Sequence, residues 1–157
     1  MLADNTLIND IKAIIAGARE QAVRAVNHER TLMYWHIGQR IFEEEQRGQE
    51  RADYGTYLVQ MIAERLQPEF GSGFSKRQIS YCRQLYRTFP IVHALRAQLS
   101  WTQYKMLLSI DNEDKREIYI AESVKNNWSS RQLERQINSQ LYERLLLSND
   151  KESVLAV

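Results

Sequence analysis

The chain has 157 residues, of which 43% are apolar and 26% charged, and its 21 Lys and Arg nearly balance its 20 Asp and Glu. This length suits one domain with its own core, and the composition is ordinary for a soluble globular protein. A membrane span is excluded because no run approaches the roughly 20 apolar residues that it requires. The N-terminus carries acids where a signal peptide needs bases, so we expect a cytoplasmic protein.

The first 46 residues predict one long helix or two collinear helices. No proline interrupts them, and apolar residues recur at helical spacing over about residues 6–46, with Gly38 as a possible bend. A helix of about 40 residues spans about 60 Å, which is more than a domain of this size can cover. We therefore expect a partner helix from a second copy, so that the chain forms a homodimer through its first helix.

The rest of the chain predicts a helical bundle over about residues 54–147, and no segment alternates like a β-strand. The fold class is therefore all-α, with residues 1–147 as one domain and 148–157 as a tail or the start of a linker. The charged segment 43–53 is expected to form a solvated helix end and a loop. A second helix is expected from Tyr54 to Leu66, with Pro68 stopping it and residues 67–74 forming an eight-residue connection.

Three later helices are predicted from their first residues. Ser75, Ser100 and Ser129 are each followed three residues later by glutamine, which is the pattern of a capping box. Asp111 is the expected cap of a further helix over about 112–125, and a short helix is expected after Pro90.

The segment between Glu69 and Asp111 contains no acid, yet seven of the fifteen aromatic residues fall within it. Its cations are Lys76, Arg77, Arg83, Arg87, Arg96 and Lys105. Cations neutralise phosphates and aromatic rings stack on bases, so this composition is typical of a surface for a polyanion. The segments before and after it have more acids than bases, so the charge of the molecule is polarised.

The helix predicted after Ser75 is amphipathic and has a cationic outer face. Lys76, Arg77, Arg83 and Arg87 are the predicted phosphate contacts, Ser80 and Gln84 the predicted base contacts, and Arg96 and Lys105 extend the patch. A helix placed in this way after another resembles the second helix of a helix-turn-helix. The predicted connection is longer than the three or four residues of the compact motif.

Two alternatives compete with nucleic-acid binding. Cations on an exposed helix are often only solvated, and the basic face could instead meet an acidic protein surface in an assembly module. Most aromatic residues of the segment belong to the predicted core, which leaves Tyr81, Trp101 or Tyr104 for base stacking. Cys82 lies on the apolar side of its helix and is expected to be a buried structural thiol.

No catalytic or metal site is predicted. His28, His36 and His93 form no ligand set with a neighbouring carboxylate or thiol. The acids at 111–114 lie at a predicted helix start, where the helix dipole is sufficient reason for them. We therefore expect no metal and no cofactor.

Several sequence blocks, taken in order, resemble the N-terminal domain of the YhcG-like bacterial proteins, a family predicted to be PD-(D/E)XK nucleases. The blocks are INDIKAIIAGAREQAVRAVN, YWHIGQRI, RADYG at 51–55, FGSGFSKRQI at 70–79, QLSW at 98–101, WSSRQL at 128–133 and LYERL at 141–145. The resemblance implies a DNA-processing protein whose nuclease domain follows the LYERL block. This chain is therefore expected to be a non-catalytic module, onto which no catalytic residue of the family is carried.

Overall fold

The computed structural model describes residues 2–48, 53–148 and 151–155. Helices dominate these residues and no β-strand occurs among them, which confirms the all-α prediction. The α-helices in chain order are α1 Leu2–Arg47, α2 Tyr54–Phe70, α3 Lys76–Thr88, α4 Trp101–Leu108, α5 Glu113–Lys125, α6 Ser130–Asn138, α7 Leu141–Leu147 and α8 Lys151–Leu155. Short 3-10 helices at Ser72–Phe74 and Val92–Ala94 lie on either side of α3. No described helix is long and apolar enough to cross a membrane.

The first helix is single and continuous, and its two halves bury different amounts of their apolar surface. In the C-terminal half Tyr34, Trp35 and Ile41 are almost fully buried. In the N-terminal half the large apolar side chains are 43% to 70% exposed. We call the following exposed residues the α1 apolar row: Leu7, Ile8, Ile11, Ile14, Ile15, Ala18, Ala22 and Ala25.

The C-terminal half of α1 packs mainly against α3, and the two backbones approach closely at Gly38. A Cβ atom at this position would lie 2.0 Å from the carbonyl oxygen of Cys82. No side chain fits there, so glycine sets the distance between α1 and α3. Gly38, the possible bend considered from the sequence, lies within one uninterrupted helix at the point where α1 and α3 come closest.

The main core is rich in aromatic residues whose polar atoms are hydrogen bonded. The Tyr34 hydroxyl donates to the carbonyl oxygen of Gly73 at 2.9 Å, and Trp35 Nε1 donates to that of Phe89 at 2.7 Å. These bonds fix α1 to both ends of α3, because Gly73 precedes that helix and Phe89 ends it. Cys82 is fully buried between the two helices, as predicted.

The predicted end of α2 at Leu66 is wrong, because the helix continues through Pro68 to Phe70. Proline removes only one backbone hydrogen bond here, and it does so in an exposed last turn. The Gly71 N–H then donates to the Gln67 carbonyl oxygen and closes the helix. The connection to α3 is therefore residues 71–75 and not the eight residues predicted. The helix-turn-helix-like arrangement stays a prediction.

Two of the three predicted capping boxes form, at Ser100 and Ser129. At Ser75 only half of the box forms, because the Gln78 side chain is used elsewhere. The cap of α5 is Asn112 and not Asp111, since the Asn112 side chain accepts from the Lys115 N–H at 3.0 Å.

The segments predicted as loop and tail are described only in part. In the segment 43–53, predicted as a helix end and loop, α1 continues to Arg47, and residues 49–52 lie outside the described residues. In the predicted tail, α8 places Val154 and Leu155 against the main core. The boundary between domain and linker stays a prediction.

Candidate nucleic-acid interface

The position of α4 beside α3 is fixed by Gln78, a residue from the predicted capping box. The Ser75 hydroxyl accepts from the Gln78 N–H at 3.3 Å, as the capping pattern requires. The Gln78 side chain does not return to Ser75 but accepts from Trp101 Nε1 at 2.9 Å. Since Trp101 is the first residue of α4, this bond holds the starts of the two helices together.

The predicted site residues Arg77 and Lys105 meet at one aromatic ring. The Arg77 guanidinium carbon lies 5.8 Å from the Tyr81 ring centroid, and Lys105 Nζ lies 6.0 Å from it. Cations at such distances are attracted to the ring electrons. Arg77 Nη2 is also 3.4 Å from the Tyr81 hydroxyl. Two cations from different helices are thus held on one surface.

We call the concave surface around this ring the α3–α4 groove. It is lined by Arg77, Gln78, Tyr81, Thr102, Lys105, Met106 and Ser109, and none of these is acidic. The predicted site residues Lys76 and Ser80 are exposed on the neighbouring face of α3. The groove therefore offers two cations and several neutral hydrogen-bonding groups to an anion.

Arg83, another predicted phosphate contact, is engaged in an ion pair with Glu45 of α1. Its Nη2 lies 2.9 Å from Glu45 Oε2, and its Nε donates to the other carboxylate oxygen. The side chains of Arg83 and Glu45 are only 27% and 16% exposed. The ion pair lowers the pKa of Glu45, although burial opposes the shift. Arg83 therefore ties α1 to α3 and contributes little net positive charge to the surface.

The close fit around this ion pair explains a glycine in the RADYG block. A Cβ atom on Gly55 would lie 2.5 Å from Arg83 Nη2 and 2.8 Å from Glu45 Oε2. Glycine at this position leaves the space that the two charged groups occupy. Gly55 therefore allows the start of α2 to pack against the Arg83–Glu45 ion pair, which joins α1 to α3.

Near the C-terminal end of α3, two predicted site residues have other contacts: Gln84 is hydrogen bonded within the protein, and Arg87 lies near acidic residues. Gln84 Nε2 donates to the Leu108 carbonyl oxygen at 2.7 Å, so this side chain holds the end of α4. Arg87 is exposed and lines a cleft that also contains Asp111, Glu113 and Glu117. The cationic face predicted for α3 is therefore strongest near its N-terminus.

Arg96 is exposed in the connection before α4 and does not line the α3–α4 groove. Its backbone N–H donates to the Tyr104 hydroxyl. Tyr104 and Trp101 are almost fully buried, and burial raises the pKa of Tyr104 to about 12. Of the three residues considered for base stacking, Tyr81 alone is partly exposed.

Four residues that complete the groove were not predicted as site residues from the sequence: Gln78, Thr102, Met106 and Ser109. The sequence signal that could have found them is the lack of Asp and Glu, because the acid-free segment covers both α3 and α4. Among the described residues, no three His, Cys, Asp or Glu side chains are placed to share a metal ion. Burial also raises the pKa of the Cys82 thiol, which disfavours the reactive thiolate.

Comparison with known proteins identifies the family. Residues 10–144 match the model of the DUF1016 N-terminal domain. The chain is also 34% identical over 174 aligned residues to the protein of Escherichia coli (strain K12) named "Putative nuclease YhcG". That alignment covers 90% of this chain and 46% of the relative, so the chain spans about half of its length. No solved structure matches the chain. The chain belongs to the family of the DUF1016 N-terminal domain, as the ordered sequence blocks predicted.

Proposed function

We propose that this chain is a non-catalytic DNA-binding module of a cytoplasmic nuclease, and that it positions a PD-(D/E)XK domain on the DNA. The observation that carries the proposal is the α3–α4 groove, where Arg77 and Lys105 share the Tyr81 ring with no acid beside them. The relative is named "Putative nuclease YhcG", and a nuclease acts on nucleic acid.

The groove suits a phosphate backbone better than a set of base edges. Contact with the Tyr81 ring restricts Arg77 and Lys105 before binding, so less side-chain entropy is lost when a phosphate arrives. Lys76 and Ser80 on the exposed face of α3 would extend the contact along the strand. Binding through such contacts is independent of sequence and weakens as salt rises.

The test reverses the charge of Lys76, Arg77 and Lys105 to Glu and measures binding to duplex DNA in low salt. We expect binding to be lost, and we expect the wild type to show a slope of about −0.9 in log K against log salt for each phosphate contact. The matched control reverses Lys125, Arg131 and Arg135, which are exposed on α5 and α6, and should bind nearly normally. Unchanged DNA affinity in a folded groove variant would overturn the proposal.

A charge reversal at Arg83 belongs in a separate variant. It would place a carboxylate beside Glu45 and disturb the packing of α1 on α3, so a loss of binding would have two explanations. We expect the wild-type chain to bind DNA without cutting it. Metal-dependent cleavage by these 157 residues alone would contradict the non-catalytic role.

Self-association is the second candidate function, and the α1 apolar row favours it. Five large side chains of this row are about half exposed on each copy. Burying one such side chain completely contributes about 1.5–3 kcal/mol, so covering the row on two copies contributes on the order of 10 kcal/mol. This is comparable to the cost of association, estimated at roughly 4–15 kcal/mol. We therefore propose a reversible homodimer, which sedimentation at several concentrations, with and without DNA, would detect.

A further inference from the structure

We infer that two copies of this chain pair antiparallel along residues 7–25 of α1. In this pair Ile8, Ile11 and Ile15 of each copy each face an alanine of the other copy. The inference rests on the homodimer proposed above and adds its orientation and register. It is independent of DNA binding by the α3–α4 groove.

The α1 apolar row has the spacing of a seam between two helices. Ile8, Ile11, Ile15, Ala18, Ala22 and Ala25 follow one another at intervals of three and four residues. This is the a and d pattern of paired helices, sustained over nearly three heptads. Leu7 and Ile14 widen the seam on one edge. A second helix is the partner that such a pattern fits.

The sizes of the side chains select the antiparallel orientation. The three isoleucines of the seam lie toward its N-terminal end, and the three alanines toward its C-terminal end. Antiparallel pairing places Ile8 opposite Ala25, Ile11 opposite Ala22 and Ile15 opposite Ala18. Every layer then contains one large and one small side chain, so the two helices keep an even separation. Parallel pairing would instead stack isoleucine on isoleucine at one end and alanine on alanine at the other.

The position of the row leaves space for the partner. At 100° per residue, the row lies on the opposite side of α1 from Thr31, Tyr34, Gly38 and Ile41, which face the bundle. A second helix on this side avoids the bundle along most of the row, and at Ala25 it meets a shallow pocket that Ala97 and Gln98 of the same domain also line. The two domains would then lie at opposite ends of the paired helices. At 1.5 Å per residue, their Gly38 crossings would be about 65 Å apart along the axis.

The same register predicts an unusual dependence on salt. Lys12 and Arg19 occupy the flanking position on one edge of the seam, and in the antiparallel pair Lys12 of each copy approaches Arg19 of the other. Their repulsion is screened as ionic strength rises, so the dimer should tighten with added salt. DNA binding through the groove should weaken under the same change.

Disulfide trapping tests the orientation. The double variant Ile8→Cys, Ala25→Cys should form a covalent dimer on mild oxidation, because each new cysteine faces the other residue of the partner. The single variant Ile8→Cys should stay uncrosslinked, since the two copies of residue 8 are about 26 Å apart in the antiparallel pair. Buried Cys82 should not compete. The matched control Ile8→Cys, Val23→Cys uses another exposed position of α1 outside the seam and should give little dimer.

The crosslinking and sedimentation results separate the antiparallel arrangement from the homodimer itself. A covalent dimer from Ile8→Cys alone would overturn the antiparallel arrangement and leave the homodimer standing. A chain that sediments as a monomer and forms no disulfide in any variant would overturn both. Neither result would affect the DNA-binding proposal, which the groove variant tests separately.

Discussion

The two halves of α1 belong to one continuous helix but differ in how much of their apolar surface the domain covers. From Thr31 onward the helix is part of the core, where Tyr34, Trp35 and Ile41 are almost fully buried. Before that point it exposes isoleucines that a stable monomer would normally cover. The contrast shows that the domain's own core requires only the second half. The first half is exposed. Substitutions in the second half should therefore change the free energy of unfolding, and substitutions in the first half should change self-association.

The largest expected effect on stability comes from Gly38→Ala in the second half. The new methyl group would overlap the backbone carbonyl of Cys82, which cannot move without separating α3 from α1. We expect the free energy of unfolding to fall by about 3 kcal/mol or more. Chemical denaturation followed by circular dichroism would measure it.

The control for this prediction is Gly17→Ala in the first half of the same helix. A Cβ atom at Gly17 has no neighbour within 4 Å. Alanine should therefore keep or increase the helical content and improve helix stability by about 0.5–1 kcal/mol. Equal losses from the two substitutions would contradict the division of α1.

A smaller effect is expected from Glu45→Gln near the end of the second half. The substitution removes the charge that faces Arg83 and leaves a partly buried guanidinium beside an amide. We expect a loss of about 1–2 kcal/mol, because hydrogen bonds between charged groups contribute more than neutral ones but this pair retains some contact with water. Denaturation of both proteins near neutral pH would measure the loss.

The same variant gives a prediction for pH. The pKa of Glu45 is lower in the folded protein than its usual value of 4.5, so the pair stabilises the fold fully above about that pH. The stabilisation is lost as pH falls through the lowered pKa. The stability difference between wild type and Glu45→Gln should therefore be greatest at neutral pH and shrink in acid. A difference that stays constant below pH 4.5 would show that this ion pair does not titrate as described.

Local signals predicted most of the fold. Apolar spacing predicted α1, and the serines at 75, 100 and 129 marked the starts of α3, α4 and α6 correctly because a cap involves only neighbours in sequence. Pro68 was misread because the cost of proline depends on whether its turn is exposed, and the sequence does not show exposure.

The candidate site was harder to predict, because its charges are decided by contacts between distant residues. Arg83 and Arg77 lie on the same helix and have the same chemistry. Glu45 neutralises Arg83, while Lys105 joins Arg77 at the Tyr81 ring. The helical wheel placed both arginines on one cationic face and gave no information on what α1 and α4 bring to it. Of the eight predicted site residues, packing places two, Arg77 and Lys105, in the α3–α4 groove.

The smallest effect on folding is expected from Ile14→Ser in the first half. Ile14 is 70% exposed, so the substitution should change the free energy of unfolding of the monomer by no more than about 0.5 kcal/mol. The same change removes a large apolar side chain from the edge of the proposed seam in both copies, so the dimer should dissociate at lower concentrations than in the wild type. Sedimentation and denaturation of one variant therefore separate the two roles of α1. A large loss of stability at a concentration where the wild type is already monomeric would mean that the first half is part of the core.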